Sequence, residues 1–218
     1  MALAIFDLDN TLICDDSDHL WGDFLADQGI VDADLYKREN DRFFREYQEG
    51  KLDIFEFLQF SLKPLSQHEP EALYAWREQF VAEKIVPVIL PAGQKLIQKH
   101  QDAGDTLMII TATNAFVTSP IAELLGVENL IATEPEMIDG RYTGQVAGTP
   151  SYQKGKVERL NQWLAEHGAN LDGSCFYSDS HNDIPLLKVV EQPVAVDPDE
   201  ALAEYAREQR WPVISLRE

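Results

Sequence analysis

The chain of 218 residues is 44% hydrophobic and 26% charged, the make-up of a soluble globular protein long enough for one large domain or two small ones. Its net charge of −20, from 18 Lys and Arg against 38 Asp and Glu, repels phosphate backbones and leaves no basic stripe, which argues against a nucleic-acid partner. No apolar run nears the length of a membrane span, so no membrane association is expected.

Ala2-Leu3-Ala4-Ile5-Phe6 is a short apolar run, partly β-branched or aromatic, and reads as a buried strand. The chain turns acidic directly afterwards and has no basic region ahead of the run, so no signal peptide is expected and a cytoplasmic location follows. Cys14 and Cys175 match neither a disulfide framework nor a zinc spacing. A long helical stretch comes next. Leu20, Trp21, Phe24 and Leu25 share one face of a first helix stopped by Gly29. Asp32 caps a second helix carrying Leu35, Phe43, Phe44 and Tyr47, ended by Gly50. Asp53 and Glu56 resemble a capping box and open a third, with Phe57, Leu58 and Leu62. Ser66 and Pro70 open a fourth, with Leu73, Trp76 and Phe80 at helical spacing. Residues 14–87 therefore read as an all-helical insert between core segments 1–13 and 88–218.

The second half alternates strand and helix, the signature of a parallel sheet with right-handed crossovers. Predicted strands cover 106–110, 129–132, 174–177, 193–196 and 213–216, with a small hairpin at the Asp139-Gly140 turn. Predicted helices cover 93–103, 115–125, 157–167 and 183–190, and an Ala- and Glu-rich helix precedes the last strand.

Polar residues gather where strands stop, the place where open α/β sheets hold ligands. Asp7 and Asp9 follow the first strand two residues apart. Two acids so close in a dry crevice need either a shared proton or a cation, and Mg2+ suits carboxylate oxygens. Thr111 follows the apolar strand Thr106–Ile110, where a hydroxyl and a helix start together can hold a phosphate oxygen. Lys154 and Lys156 compete for the place of an ammonium that holds Asp7 and an anionic group together, ahead of a second pair of acids. Those acids, Asp179 and Asp183, lie four residues apart in Ser178-Asp179-Ser180-His181-Asn182-Asp183, after a strand and at the start of a helix. With so acidic a surface, an anionic substrate has to be drawn in by local cations.

Asp7-Leu8-Asp9-Asn10-Thr11-Leu12 resembles the first motif of the haloacid dehalogenase-like superfamily in its phosphatase branch, and Thr111, the lysine and Asp179 to Asp183 resemble the later motifs in their order. The helical insert directly after the first motif resembles the phosphoserine phosphatase-like group, subfamily IB. The resemblance implies a Rossmann-like α/β parallel-sheet core with a small all-helical C1 cap. It also implies a Mg2+-dependent phosphomonoesterase acting on a small phosphorylated metabolite. In that family Asp7 would attack phosphorus to give an aspartyl-phosphate, and Asp9 would serve as acid and then base. Thr111 and Lys156 would hold the equatorial oxygens. Mg2+ would sit on Asp7, the carbonyl of Asp9 and Asp179, with Asp183 steadying its hydration shell. Thr113, Asn114 and Asn182 would lie on the substrate side, and Ala112, Thr113 and Asn114 stand where phosphoserine phosphatases carry glycines.

Asp16 matches the place of a Glu that binds the substrate amine in phosphoserine phosphatases, which suits a substrate with an ammonium group. No cap arginine can be assigned to a substrate carboxylate, although Arg38, Arg42 and Arg45 share one predicted helix. Two substrates remain open, phosphoserine and an amino-alcohol phosphate such as histidinol phosphate. His19 and Trp21 are placed either in the cap pocket or in the helix surface and core. A non-catalytic binding protein that kept the fold is the alternative, and monomer and homodimer both stay open.

Overall fold

The computed structural model describes residues 2–217, so the outermost ends of the two expected core segments, Met1 and Glu218, lie outside the described residues. Seven strands form one sheet: β1 (Leu3–Phe6), β2 (Thr106–Asn114), β3 (Asn129–Ile138), β4 (Arg141–Ala147), β5 (Cys175–Ser178), β6 (Gln192–Val196) and β7 (Val213–Ile214). Their order is β4-β3-β2-β1-β5-β6-β7, and all neighbours pair in parallel except β3 with β4. This is the α/β, Rossmann-like architecture expected, with β1 in the middle.

β1 can be apolar throughout because both of its faces are covered. Its alternation divides the core. Ala4 and Phe6 pack with Leu107, Ile109 and Tyr177 on one face, and Leu3 and Ile5 with Met108, Ile110 and Phe176 on the other. The β3–β4 connection is the expected Asp-Gly turn, with φ of 50° at Asp139 and 78° at Gly140, the left-handed pair that a two-residue hairpin of matching twist requires.

Between β1 and the second strand stand α1 (Ser17–Asp27), α2 (Ala33–Gln48), α3 (Ile54–Ser61), α4 (Lys63–Gln67) and α5 (Pro70–Phe80). Asp16, Asp32 and Asp53 cap α1, α2 and α3 through their carboxylates. The expected box at α3 is half made, because Glu56 turns to Arg42 instead. Ser66 lies inside the short α4, and α5 starts at Pro70. The insert shares a core with the sheet: Trp21 lies 5.1 Å from Phe80 and 5.7 Å from Phe116 of α7 (Ala115–Leu124), ring centre to ring centre. Trp21 is thus core, where aromatic pairs in edge-on geometry contribute beyond their buried area. Both connections to the insert run side by side, with the Cys14 N–H donating to the Val88 carbonyl (2.9 Å) and the Leu90 N–H to that of Leu12 (3.0 Å).

The remaining α-helices are α6 (Pro91–Asp102), α8 (Lys154–His167), α9 (Ile184–Leu187) and α10 (Glu200–Gln209). Three expectations need correction. β2 does not stop at Ile110 but stays extended to Asn114, where it pairs with Thr133 of β3 after a register shift. The helix expected over 183–190 is a 3₁₀ turn, His181–Asp183, followed by the four-residue α9. The last strand keeps only Val213 and Ile214.

Candidate active site

The carboxyl ends of β1, β2 and β5 meet in one crevice under the insert. After β1 the chain turns back within one loop, the Leu8 carbonyl accepting from the N–H groups of Thr11, Leu12 and Ile13. Asn10 takes a φ of 56° there, a left-handed conformation Asn tolerates better than most residues. The turn leaves Asp7 facing β5 and Asp9 facing β2.

Asp7 is 3% exposed, and its Oδ1 accepts from Lys156 Nζ at 2.8 Å. The same ammonium reaches Asp183 at 2.7 Å, and Ser178 Oγ donates to Asp183 Oδ2 at 2.7 Å. Lys154 is exposed, whereas Lys156 is buried. The reason lies between them: a Cβ on Gly155 would stand 2.0 Å from the Pro150 carbonyl oxygen. Only glycine lets the start of α8 lie that close, and the close approach turns Lys156 inward. Burial opposes the Lys156 ammonium, but Asp183 and Asp7 outweigh it and hold its pKa above the ordinary lysine value.

Asp179 is tied to the first motif by one hydroxyl. Thr11 Oγ1 donates to Asp179 Oδ1 and accepts from the Asp179 N–H, both at 3.1 Å. Burial raises Asp179 well above the ordinary aspartate range, and Asp7 and Asp183 push it further. Burial likewise pushes Asp7 up to about 7, with Lys156 opposing and Asp183 and Asp9 adding. The three carboxyl groups of Asp7, Asp179 and Asp183 therefore share a single ammonium, which bonds two of them. Such a hard-oxygen, charge-deficient cluster fits a divalent cation. Among the described residues no three Asp, Glu, His or Cys side chains converge closely enough to chelate an ion alone.

Asp9 faces away from this cluster. Its Oδ2 accepts from Thr113 Oγ1 at 2.8 Å and Thr111 Oγ1 at 3.2 Å, and its Oδ1 from the Ser17 N–H at 2.7 Å. Thr111 also accepts from the Thr113 N–H at 3.1 Å. The two threonines thus serve Asp9. Asn114, expected on the substrate side, is 1% exposed and caps α7 through its Oδ1 on the Val117 N–H. Asn182 is occupied as well. Its Oδ1 accepts from Tyr152 OH (3.1 Å) and Gln153 Nε2 (2.9 Å), and its Nδ2 donates to the Tyr47 carbonyl of α2 (3.2 Å). Asn182 thereby ties the insert to the sheet domain. Tyr47 stands over the acids, and burial together with Asp7, Asp183 and Asp179 raises its phenol.

From Asp7 and Asp9 a cavity extends under the insert. Asp16, Asp18, His19 and Asn40 line one part, and Phe43, Phe44, Tyr47 and Phe57 another. No Lys or Arg lines it among the described residues. Arg42 is taken up by Glu39, Glu46 and Glu56, and Arg38 by Glu39. Asp16, expected at the amine, does line the cavity, but it also caps α1, its Oδ1 accepting from the His19 N–H at 2.8 Å. Thr11, Ser17, Ser178 and Asp18 have no role in the expected site, and Phe43, Phe44 and Phe57, expected only on the apolar faces of their helices, line the cavity as well. Thr11 alone had a local signal, as a hydroxyl inside the motif that holds Asp7 and Asp9.

A family model described as haloacid dehalogenase-like hydrolase matches residues 4–188. The chain is 49% identical to a histidinol-phosphatase of Neisseria meningitidis serogroup C (strain 8013), over 99% of both chains. A protein of unknown function from Bordetella pertussis Tohama I superposes with a TM-score of 0.93 at 46% identity, over 99% of this chain and 98% of that one. A substrate-bound phosphoserine phosphatase shares the fold, with a TM-score of 0.72 at 20% identity over 100% of this chain and 93% of that one.

Proposed function

This chain belongs to the haloacid dehalogenase-like hydrolases and is a phosphatase, and from that premise we propose that it hydrolyses a small amino-alcohol phosphate, histidinol phosphate in preference to phosphoserine. The observation that carries the preference is the cavity lined by Asp16 and Asp18 without a lysine or arginine. A serine carboxylate there would meet these acids with no lysine or arginine to offset them, and the His19 ring already faces Asp23 and Asp41, a juxtaposition that costs several kcal/mol. A free ammonium meets the charge it needs. The likeness to a histidinol-phosphatase supports the same choice.

Asp7 is the nucleophile. Its carboxylate oxygen forms a bond to phosphorus as the ester P–O bond breaks, and the leaving alkoxide takes a proton from Asp9. Asp9 then removes a proton from water as that water attacks phosphorus, releasing phosphate and restoring Asp7. The proton belongs on Asp9 Oδ2, since Oδ1 faces an N–H that can only donate, whereas the hydroxyls of Thr111 and Thr113 can turn to accept. Lys156 keeps Asp7 aligned and balances incoming phosphoryl oxygens, and Asp183 positions Lys156. Asp7, Asp179 and the Asp9 carbonyl would hold Mg2+, which when bound supplies the positive charge this acid cluster lacks. The insert formed by residues 14–87 acts as the cap that closes over the substrate and excludes water.

Phosphate release from histidinol phosphate, phosphoserine and phosphoethanolamine, with Mg2+ or EDTA and beside Asp7→Asn, tests the reading. Histidinol phosphate should exceed phosphoserine in kcat/KM by at least about 100-fold. Equal values, or phosphoserine ahead, would overturn the substrate choice, and a silent panel would overturn the reading as a whole.

A further inference from the structure

We propose that Asp18 is a specificity-determining residue: lining the same cavity as an aromatic wall, it receives a second positive charge of the substrate, carried on a flat heteroaromatic ring. The inference rests on the reading above and deepens it. The cavity joins an acidic end to an aromatic wall. Its acidic end contains two carboxylates with different duties. Asp16 is committed in part to the helix, through the His19 N–H. The N–H at Ser17 is already served by Asp9. Asp18 makes no hydrogen bond to the start of α1, and among the described residues its one partner is Asn114 Nδ2, at 3.4 Å. A capping role therefore does not account for it.

Burial and the nearby Asp9 push Asp18 up to about 7. Its charge therefore lacks protein compensation, and a cationic ligand group would supply it. Phe43, Phe44 and Phe57 line the same cavity. Phe44 is already stacked with His19, ring centres 4.7 Å apart, so its ring is held in place. Aromatic faces and a carboxylate in one water-poor cavity suit a planar cation better than a compact ammonium. In this division of labour Asp16 takes the substrate's ammonium and Asp18 its ring.

Steady-state kinetics of the full chain with Asp18→Asn, Asp18→Glu, Asp16→Asn and Phe44→Leu test this. The substrates are histidinol phosphate, ring-free phosphoethanolamine and p-nitrophenyl phosphate, which carries no cationic group. For Asp18→Asn, KM for histidinol phosphate should rise about 10- to 100-fold with kcat little changed, and KM for phosphoethanolamine should hold within about threefold. Asp18→Glu should recover part of the loss, Phe44→Leu should show the same selective defect, and Asp16→Asn should impair both amines. If Asp18→Asn and Phe44→Leu lower kcat/KM for all three substrates alike, or for none, the assignment fails. Should Asp18→Asn not fold, Phe44→Leu decides by the same criterion. That failure is distinct from failure of the substrate reading, in which the wild-type protein would not hydrolyse histidinol phosphate.

Discussion

Replacing Asp7 by Asn should abolish turnover and make the protein more stable. An aspartate raised from 3.8 to about 7 costs the folded state about 4 kcal/mol once the carboxyl is ionised in both states. Burial is the main cause, and Lys156 only partly offsets it. The direction follows from proton counting. Between about pH 4 and pH 7 the folded chain retains a proton on Asp7 that the unfolded chain has released, so stability falls as pH rises through that window. Asn titrates nowhere in it, still accepts from Lys156, and leaves the Lys156–Asp183 pair intact. Urea unfolding in EDTA should therefore find Asp7→Asn more stable by about 2–4 kcal/mol near pH 8, with the difference fading toward pH 4. Excess Mg2+ should stabilise the wild type by mass action and the variant much less, narrowing or reversing the gap. An Asp7→Asn protein that is no more stable at pH 8 without metal, or a difference that does not change with pH, would refute the picture of an acid held at an energetic cost for its chemistry.

Other changes probe the remaining parts of the site. Thr11→Val removes both bonds that hold Asp179, and a Mg2+ titration of activity should show affinity lowered about 10- to 100-fold, the usual effect of losing such a support. Gly155→Ala places a methyl 2.0 Å from the Pro150 carbonyl. It should lower the urea midpoint by the equivalent of about 1–3 kcal/mol or more and reduce activity by displacing Lys156. Thr113→Val deletes the shorter hydroxyl bond to Asp9. It should lower kcat about 10-fold with KM nearly unchanged, as expected for a residue that acts through the acid-base group.

Much of this molecule was legible in local pattern. An apolar run too short for a helix made β1 a buried strand, and alternating apolar segments with Gly and Asp punctuation located most of the other elements. Two acids directly after a strand marked the crevice, and the spacing of Asp179 and Asp183 marked its second side. The pattern misled where polar residues continued a strand. Thr111, Ala112 and Thr113 lack the apolar signature and lie where the β2–β3 register shifts, yet the strand stays extended to Asn114, which caps α7. It also gave no means of seeing that Arg42 is consumed by three glutamates.

The sequence by itself determined the order of strands and helices, the α/β class and the acids at the strand ends, because helical and strand periodicities and turn preferences act over a few residues. Tertiary structure decided which polar groups meet. Lys156 reaches Asp7 across 149 positions, and Gly155 permits it only because the Pro150 carbonyl lies against the helix start. Asn182 holds the insert 135 positions away, and Asp18 is left nearly unpartnered in a cavity whose aromatic wall comes from α2 and α3. The physical reason is that a side chain's charge and hydrogen bonds are settled by whatever the folded chain brings within hydrogen-bond reach of it, and the side-chain partners of Lys156, Asn182 and Asp18 all stand at least 27 positions away in sequence.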